Sequence, residues 1–130
     1  MRVFLDTNIL VYVLTADLKR HRAQEALAAG GTVSVQVLNE LVQVLRRKLQ
    51  RDWSEIEAAL DDLGALLEPP VPLTFAIHQA ARWLARDHGF AFYDALIVAA
   101  ALDAGCDRLL TEDMQHGRRV KGLTISNPFA

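Results

Sequence analysis

Apolar and polar residues follow two rhythms along this chain. Short apolar runs rich in β-type residues, Val3–Leu5 and later "DRLLT" and "LTIS", are separated by longer stretches in which apolar residues recur every three or four positions. Val3–Leu5 is continuous rather than alternating, as in a central parallel strand buried on both faces. Helices are predicted over Ile9–Leu14 and Lys19–Ala29, the second stopped by Gly30-Gly31. "TVSVQV" alternates as a strand does, yet it leads into "LNELVQVLRRKL", where the apolar spacing turns helical. A further helix opens at Trp53-Ser54, with Ser54 as N-cap and Glu57 at capping-box spacing. Leu66-Leu67 reads as a short strand ahead of Pro69-Pro70, which rule out helix there. "TFAIHQAARWLARDHG" is an amphipathic helix between Thr74 and Gly89, and "YDALIVAAALDAG" is an almost wholly apolar one stopped by Gly105. The two last strands are separated by the polar loop "EDMQHGRRVKG".

Strands alternating with helices predict an α/β fold: one three-layer α/β/α domain over residues 1–130 with a mostly parallel central sheet. Composition agrees, at 52% hydrophobic and 23% charged residues, an ordinary globular balance that argues against disorder. The longest apolar run, Ala95–Leu102, is far short of the roughly 20 residues that span a bilayer. Cys106 is the only cysteine, which excludes an internal disulfide and a thiolate metal cluster. A cytoplasmic protein without a membrane partner is the expectation.

The net charge of −2 is unevenly spread: residues 1–51 hold eight Lys/Arg and four Asp/Glu, residues 52–130 six and twelve. The basic excess peaks at "RRKLQR", so Arg46, Arg47 and Arg51 are candidate phosphate contacts, with a solvated helix face as the plainer explanation. Arg47 lies seven residues beyond Glu40, which in an α-helix puts it on the same side.

Four carboxylates stand in awkward places. Asp6 sits where the first strand ends and a helix starts, the edge of an α/β sheet where ligands bind; a helix N-cap is its plainer explanation. Glu40 lies at the margin of an apolar helix face between Val37 and Val44. Asp94 opens a helix that is apolar nearly all round, so it should be buried and faced by something cationic. Asp113 follows "RLLT", again at a strand's carboxyl end, where a turn-forming Asp is the alternative. Together these acids would repel one another unless a cation neutralised them. All-oxygen ligation suits Mg²⁺ or Mn²⁺ rather than zinc, and such a site points to phosphodiester hydrolysis. The four histidines show no paired ligand spacing, and no Gly-rich phosphate loop or nucleophile elbow is present.

At "FLDTNILVY", "LNEL", "YDALIVAAA" and "LLTEDMQHG", in that order and over essentially the whole chain, the sequence resembles the PIN-domain family and within it VapC-type toxins of toxin–antitoxin pairs. The resemblance implies an acidic tetrad of Asp6, Glu40, Asp94 and Asp113 that binds Mg²⁺ or Mn²⁺ and cuts single-stranded or looped RNA. It implies that Asn8 hydrogen-bonds within the site and that Thr7 or Thr111 positions a carboxylate or water. Glu112 and Asp113 are adjacent, and the family's T-x-D pattern favours Asp113. It further implies a small antitoxin partner and a homodimer.

Other readings fit less well. An aspartyl-nucleophile phosphatase needs a second Asp two residues after the first, where this chain has Asn8. A receiver-type phosphoacceptor needs paired acids near the first strand, which are absent. A non-catalytic binding module working only through its antitoxin complex is the rival from another class.

Overall fold

The computed structural model describes all residues 1–130. Strand β1 (Val3–Leu5) runs directly into helix α1 (Thr7–Val13), followed by α2 (Arg20–Ala28) and α3 (Val35–Gln43). Next come α4 (Trp53–Leu66), α5 (Phe75–His88) and α6 (Phe92–Asp103), and then the strands β2 (Arg108–Leu110), β3 (Arg119–Val120) and β4 (Leu123–Ser126). The sheet order is β1-β2-β4-β3. β1, β2 and β4 are parallel, in the register Phe4–Leu109–Ile125, and β3 adds an antiparallel edge. Phe4 and Leu5 are adjacent on β1 and point to opposite faces, yet both are fully buried. Helices therefore cover the sheet on both sides, as the apolar runs predict. Helix α6 is buried continuously from Ala95 to Ala101, which explains why its sequence carries no amphipathic rhythm.

Local chemistry sets several boundaries differently from the apolar pattern. "TVSVQV" is not a strand. Thr32 bridges Phe4 and Ser34 bridges Val71, each in a single parallel rung, and Ser34 then caps α3 by accepting from the Val37 N–H at 3.2 Å. The alternation there comes from a helix cap passing between buried neighbours. Leu66 belongs to the end of α4 rather than to a strand, and the residue that pairs beyond the prolines is Val71. The cap of α4 is Asp52, not Ser54: its carboxylate accepts from the Glu55 N–H at 2.8 Å, and Glu55 Oε1 accepts from the Asp52 N–H at 3.2 Å. The loop after β2 contains β3. Thr74 and Gly89 bound α5 as predicted, Gly89 taking the left-handed φ of +73°.

Two features fix β1 in place. Arg2, at its amino end, donates to Glu68 Oε2 and to the Ala104 carbonyl, each at 2.7 Å. Gly31 lies against the strand's side: a Cβ there would stand 3.1 Å from Leu5 Cδ1 and Cγ and 3.4 Å from the Val3 carbonyl oxygen. At its carboxyl end the chain passes to Asp6, whose N–H donates to the Leu110 carbonyl at 3.0 Å.

The two assignments of the α4 cap separate cleanly by mutation. Asp52→Ala is expected to cost about 1 kcal/mol, a fall in Tm of roughly 3–5 °C, whereas Ser54→Ala should leave thermal unfolding nearly unchanged. The reverse order in a melting experiment would reinstate Ser54.

Candidate active site

Asp6 does two jobs. As N-cap of α1 its Oδ1 accepts from the Thr7 N–H at 2.7 Å, so the plain explanation of its position holds. Its Oδ2 accepts from the Thr111 hydroxyl at 2.7 Å, joining the carboxyl ends of β1 and β2. Asp6 is only 3% exposed. Burial pushes its carboxyl up to about 6; the bonds from Thr111 and Thr7 pull the other way, and the charges of Asp113 and Asp94 add to the rise.

Asn8 ties the second segment to the first. Its Nδ2 donates to Asp113 Oδ2 at 3.0 Å and lies 3.4 Å from Asp6 Oδ2, while its Oδ1 accepts from the Glu112 N–H at 3.2 Å. Thr111 Oγ1 accepts from the Asp113 N–H at 3.1 Å and lies 3.3 Å from Asn8 Nδ2. These bonds turn Asp113 toward Asp6. Glu112 turns away, accepting from the Tyr12 hydroxyl at 2.7 Å and from Lys19 Nζ at 2.9 Å. Burial alone would raise the Glu112 carboxyl, but those two donors win and hold it below the usual range. Of the two neighbouring acids, Asp113 is the one that faces the other carboxylates.

Glu40 and Asp94 reach the same place from helices. Glu40 on α3 is half-buried and raised to about 7, first by burial and then by the charge of Asp6, with Asp94 and Asp113 contributing; a long 3.5 Å bond from Gln36 offsets little of this. Asp94 stands in the first turn of α6, where the helix dipole favours a negative charge. It is half-buried rather than buried, and burial followed by the charge of Asp113 raises it. None of Asp6, Glu40, Asp94 or Asp113 forms an ion pair with a basic side chain of this chain, so the cation anticipated for Asp94 does not come from the protein.

Thr7, Asn8, Glu40 and Asp113 line an open cleft of about 310 Å³. Thr7 Oγ1 is buried there without a hydrogen-bond partner. No three acidic, histidine or cysteine side chains close into a ready cage for an ion. That openness fits Mg²⁺, which dehydrates reluctantly and takes one or two carboxylates while keeping waters and substrate oxygens. The purely oxygen donor set, the raised carboxyls and the orphaned Thr7 hydroxyl fit a hard divalent cation.

The basic run is placed less simply. Arg46 donates to the Arg51 carbonyl at 3.1 Å and its guanidinium stacks over Trp53, and Arg51 pairs with Glu55 at 3.9 Å. Arg47 is exposed but does not line the cleft; Lys48 does. The reason is a π-turn over Val44–Lys48 at the end of α3, closed by the Leu49 N–H on the Val44 carbonyl at 3.0 Å. It takes about one residue more than an α-turn, so counting seven positions from Glu40 falls one residue short. Lys48 is a residue that the sequence reading missed, because no apolar spacing announces a π-turn.

The PIN-domain family model matches residues 3–122, nearly the full length. This chain belongs to the PIN-domain family. No curated protein sequence matches it significantly. Among solved structures, the PIN domain is similar to a toxin–antitoxin complex from Klebsiella pneumoniae, at 21% identity over 98% of each chain with a TM-score of 0.73. It is similar also to VapBC2 from Rickettsia felis bound to a promoter DNA fragment, at 22% identity over 98% of each chain and TM-score 0.67. VapC20 of Mycobacterium tuberculosis, a toxin that cleaves the sarcin–ricin loop, matches at 22% identity over 82% of this chain and 86% of that one, TM-score 0.67. At these identities the likeness is one of fold, and the PIN domain has the fold of VapC toxins. No helix in it is long and apolar enough to cross a membrane.

The raised carboxyls have a consequence for stability. Asp6 and Glu40 titrate near 6 and 7 in the folded PIN domain and near 4 in the unfolded chain. Between those values the folded state binds more protons, so stability declines as pH rises from about 4 to about 7. Glu68, Asp87 and Glu112 are lowered, and their opposite effect falls below about pH 4.5. The Tm of metal-free protein is therefore expected to fall between about pH 5 and pH 8, and Mg²⁺ to recover part of the loss at the upper end only. Melts in EDTA and in Mg²⁺ across that range check this; a flat metal-free profile would disprove the coupling.

Proposed function

We propose that this PIN domain is an endoribonuclease that hydrolyses RNA phosphodiesters with Mg²⁺ or Mn²⁺, and that it acts as the toxin of a toxin–antitoxin pair. The observation that carries the reading is the gathering of Asp6, Glu40, Asp94 and Asp113 from four elements with no basic side chain paired to any of them. Bound there, a divalent ion supplies a water of lowered pKa and charge stabilisation for the phosphorane-like transition state. The four acids would hold the ion, one or two of them directly and the others through their charge. Thr111 and Asn8 hold Asp6 and Asp113 in mutual orientation. Thr7 lines the cleft, and its buried hydroxyl has no partner within the protein. Lys19 and Tyr12 keep Glu112 out of the ligand set.

An antitoxin partner and a homodimer belong to the same reading. Support comes from the structures of similar fold, several of which are toxin–antitoxin complexes. Leu73, Phe75 and Tyr93 are exposed; Phe75 stacks on His78, which meets Phe92 edge-on, and Phe92 meets Tyr93 edge-on, which gives an apolar surface suited to a protein partner. A module that only binds would gain nothing from four acids whose mutual repulsion costs stability.

Antitoxin-free protein incubated with a tRNA and rRNA pool is expected to cut in Mg²⁺ or Mn²⁺ and not in EDTA. Asp94→Asn should lower the rate roughly 100-fold or more while its metal-free Tm stays level or rises, since a repelled carboxylate is removed. Cutting that survives EDTA or this substitution would refute the metal site. Stoichiometric RNA binding without turnover would favour the binding module.

A further inference from the structure

The cleft has a polarity that the four acids do not explain. One wall is α3, from which Glu40, Val44 and Lys48 line the cleft at intervals of four residues. In an uninterrupted α-helix the residue eight positions beyond Glu40 stands about 80° round the axis from it, and the residue seven beyond only about 20°. The π-turn over Val44–Lys48 removes that offset: its smaller rotation per residue leaves Arg47 short of the wall and brings Lys48 to Glu40's side. Gln50 follows in a left-handed conformation at φ +53°, and the Arg51 N–H closes on the Leu45 carbonyl at 2.9 Å, so the distorted end is held rather than frayed.

Lys48 is the one cation among the residues lining the cleft, and it is exposed. Three neighbouring cations are engaged elsewhere, Lys19 with Glu112 and Tyr12, Arg46 with Arg51 and Trp53, and Arg51 with Glu55, and Arg47, which is unpaired, does not line the cleft. Lys48 makes no ion pair, although Glu40, Glu112 and Asp113 line the same cleft. A free ammonium at the rim of an acid-lined cleft suits a ligand that brings its own negative charge and extends beyond the acids. A nucleic-acid strand does so, because the phosphate beside the reacting one lies outside the reach of the carboxylates.

On the ribonuclease reading above, we propose that Lys48 is a substrate-binding residue that grips an RNA phosphate adjacent to the scissile one, and that the π-turn sets its position. The strand then leaves the acids along the α3 wall past Val44. Arg47, one residue earlier and of the same charge, plays no comparable part.

The test uses a fluorescein-labelled single-stranded RNA of mixed sequence. Its cleavage by the full chain in Mg²⁺ is followed, and its binding to Asp94→Asn protein in Mg²⁺ is measured by anisotropy over a range of KCl. Each is repeated with Lys48→Gln, Lys48→Arg and Arg47→Gln. The expected result is a rise in Kd and KM of about tenfold for Lys48→Gln with kcat little changed. The slope of log Kd against log salt should shrink by about 0.7, one phosphate's share on a single strand. Lys48→Arg should restore most of both, and Arg47→Gln should change either less than about twofold. Lys48 is exposed, and an unchanged Tm for Lys48→Gln will separate lost contact from lost fold. RNA cut normally by Lys48→Gln with an unaltered salt slope overturns this inference and leaves the nuclease reading standing. So does a larger loss from Arg47→Gln. Wild-type protein that neither binds nor cuts RNA in either ion overturns both, and weakened binding of an acidic peptide alone would reassign Lys48 to a protein partner.

Discussion

The structure turns on one buried carboxylate. Asp6 is reached by the N–H of Thr7 through one oxygen and by the hydroxyl of Thr111 through the other, so a single side chain joins the first strand, the first helix and a strand more than a hundred residues later. Its burial among Phe4, Leu5, Ile9 and Leu10 makes those bonds necessary, because an unsatisfied ion in such surroundings costs several kcal/mol. Asn8 and Thr111 then extend the same network to Asp113. The geometry of the site is thus inherited from the geometry of the fold's first turn.

The two ends of β1 handle charge in opposite ways. At the amino end the acids have partners: Glu68 meets Arg2, and Asp107 Oδ2 accepts from the Arg2 backbone N–H at 2.9 Å. At the carboxyl end burial and neighbouring carboxylates raise Asp6, Glu40 and Asp94, and no basic side chain pairs with any of them or with Asp113. Glu112 shows that this is not for lack of bases, since Lys19 reaches the acid next in sequence and stops there. Local instability concentrated at a strand end, within an otherwise satisfied framework, is how folds carry binding sites for ions they do not themselves supply.

Much of this was legible before any coordinates. Asp6 and Asp94 are marked by abrupt changes of apolar rhythm, since each stands at the start of a helix whose neighbours are buried. Glu40 could be placed on a helix margin because α3 keeps its period as far as Gln43. The period fails at the next residue, and with it the placement of Arg47, because a π-turn alters backbone phase without leaving a mark in composition. The choice between Glu112 and Asp113 rested on partners from α1 and the loop after it, Tyr12 and Lys19, which no local pattern connects to them. The apparent strand at "TVSVQV" misled for a related reason: Val33 is buried between the sheet-like rungs of Thr32 and Ser34, whereas Val37 is buried on a helix. Asp52 was overlooked as a cap because Trp53 and Ser54 drew the boundary two residues late.

The glycine beside β1 extends the site's reach well beyond its acids. A Cβ at Gly31 would stand 3.1 Å from the side chain of Leu5, the residue immediately before Asp6, so that side chain would have to give by a few tenths of an ångström. Leu5 is fully buried, and the strand it belongs to ends at the carboxylate on which the whole network hangs. A substitution that disturbs the carboxylates therefore need not fall on one of them: a glycine outside the cleft keeps the space into which Leu5 packs.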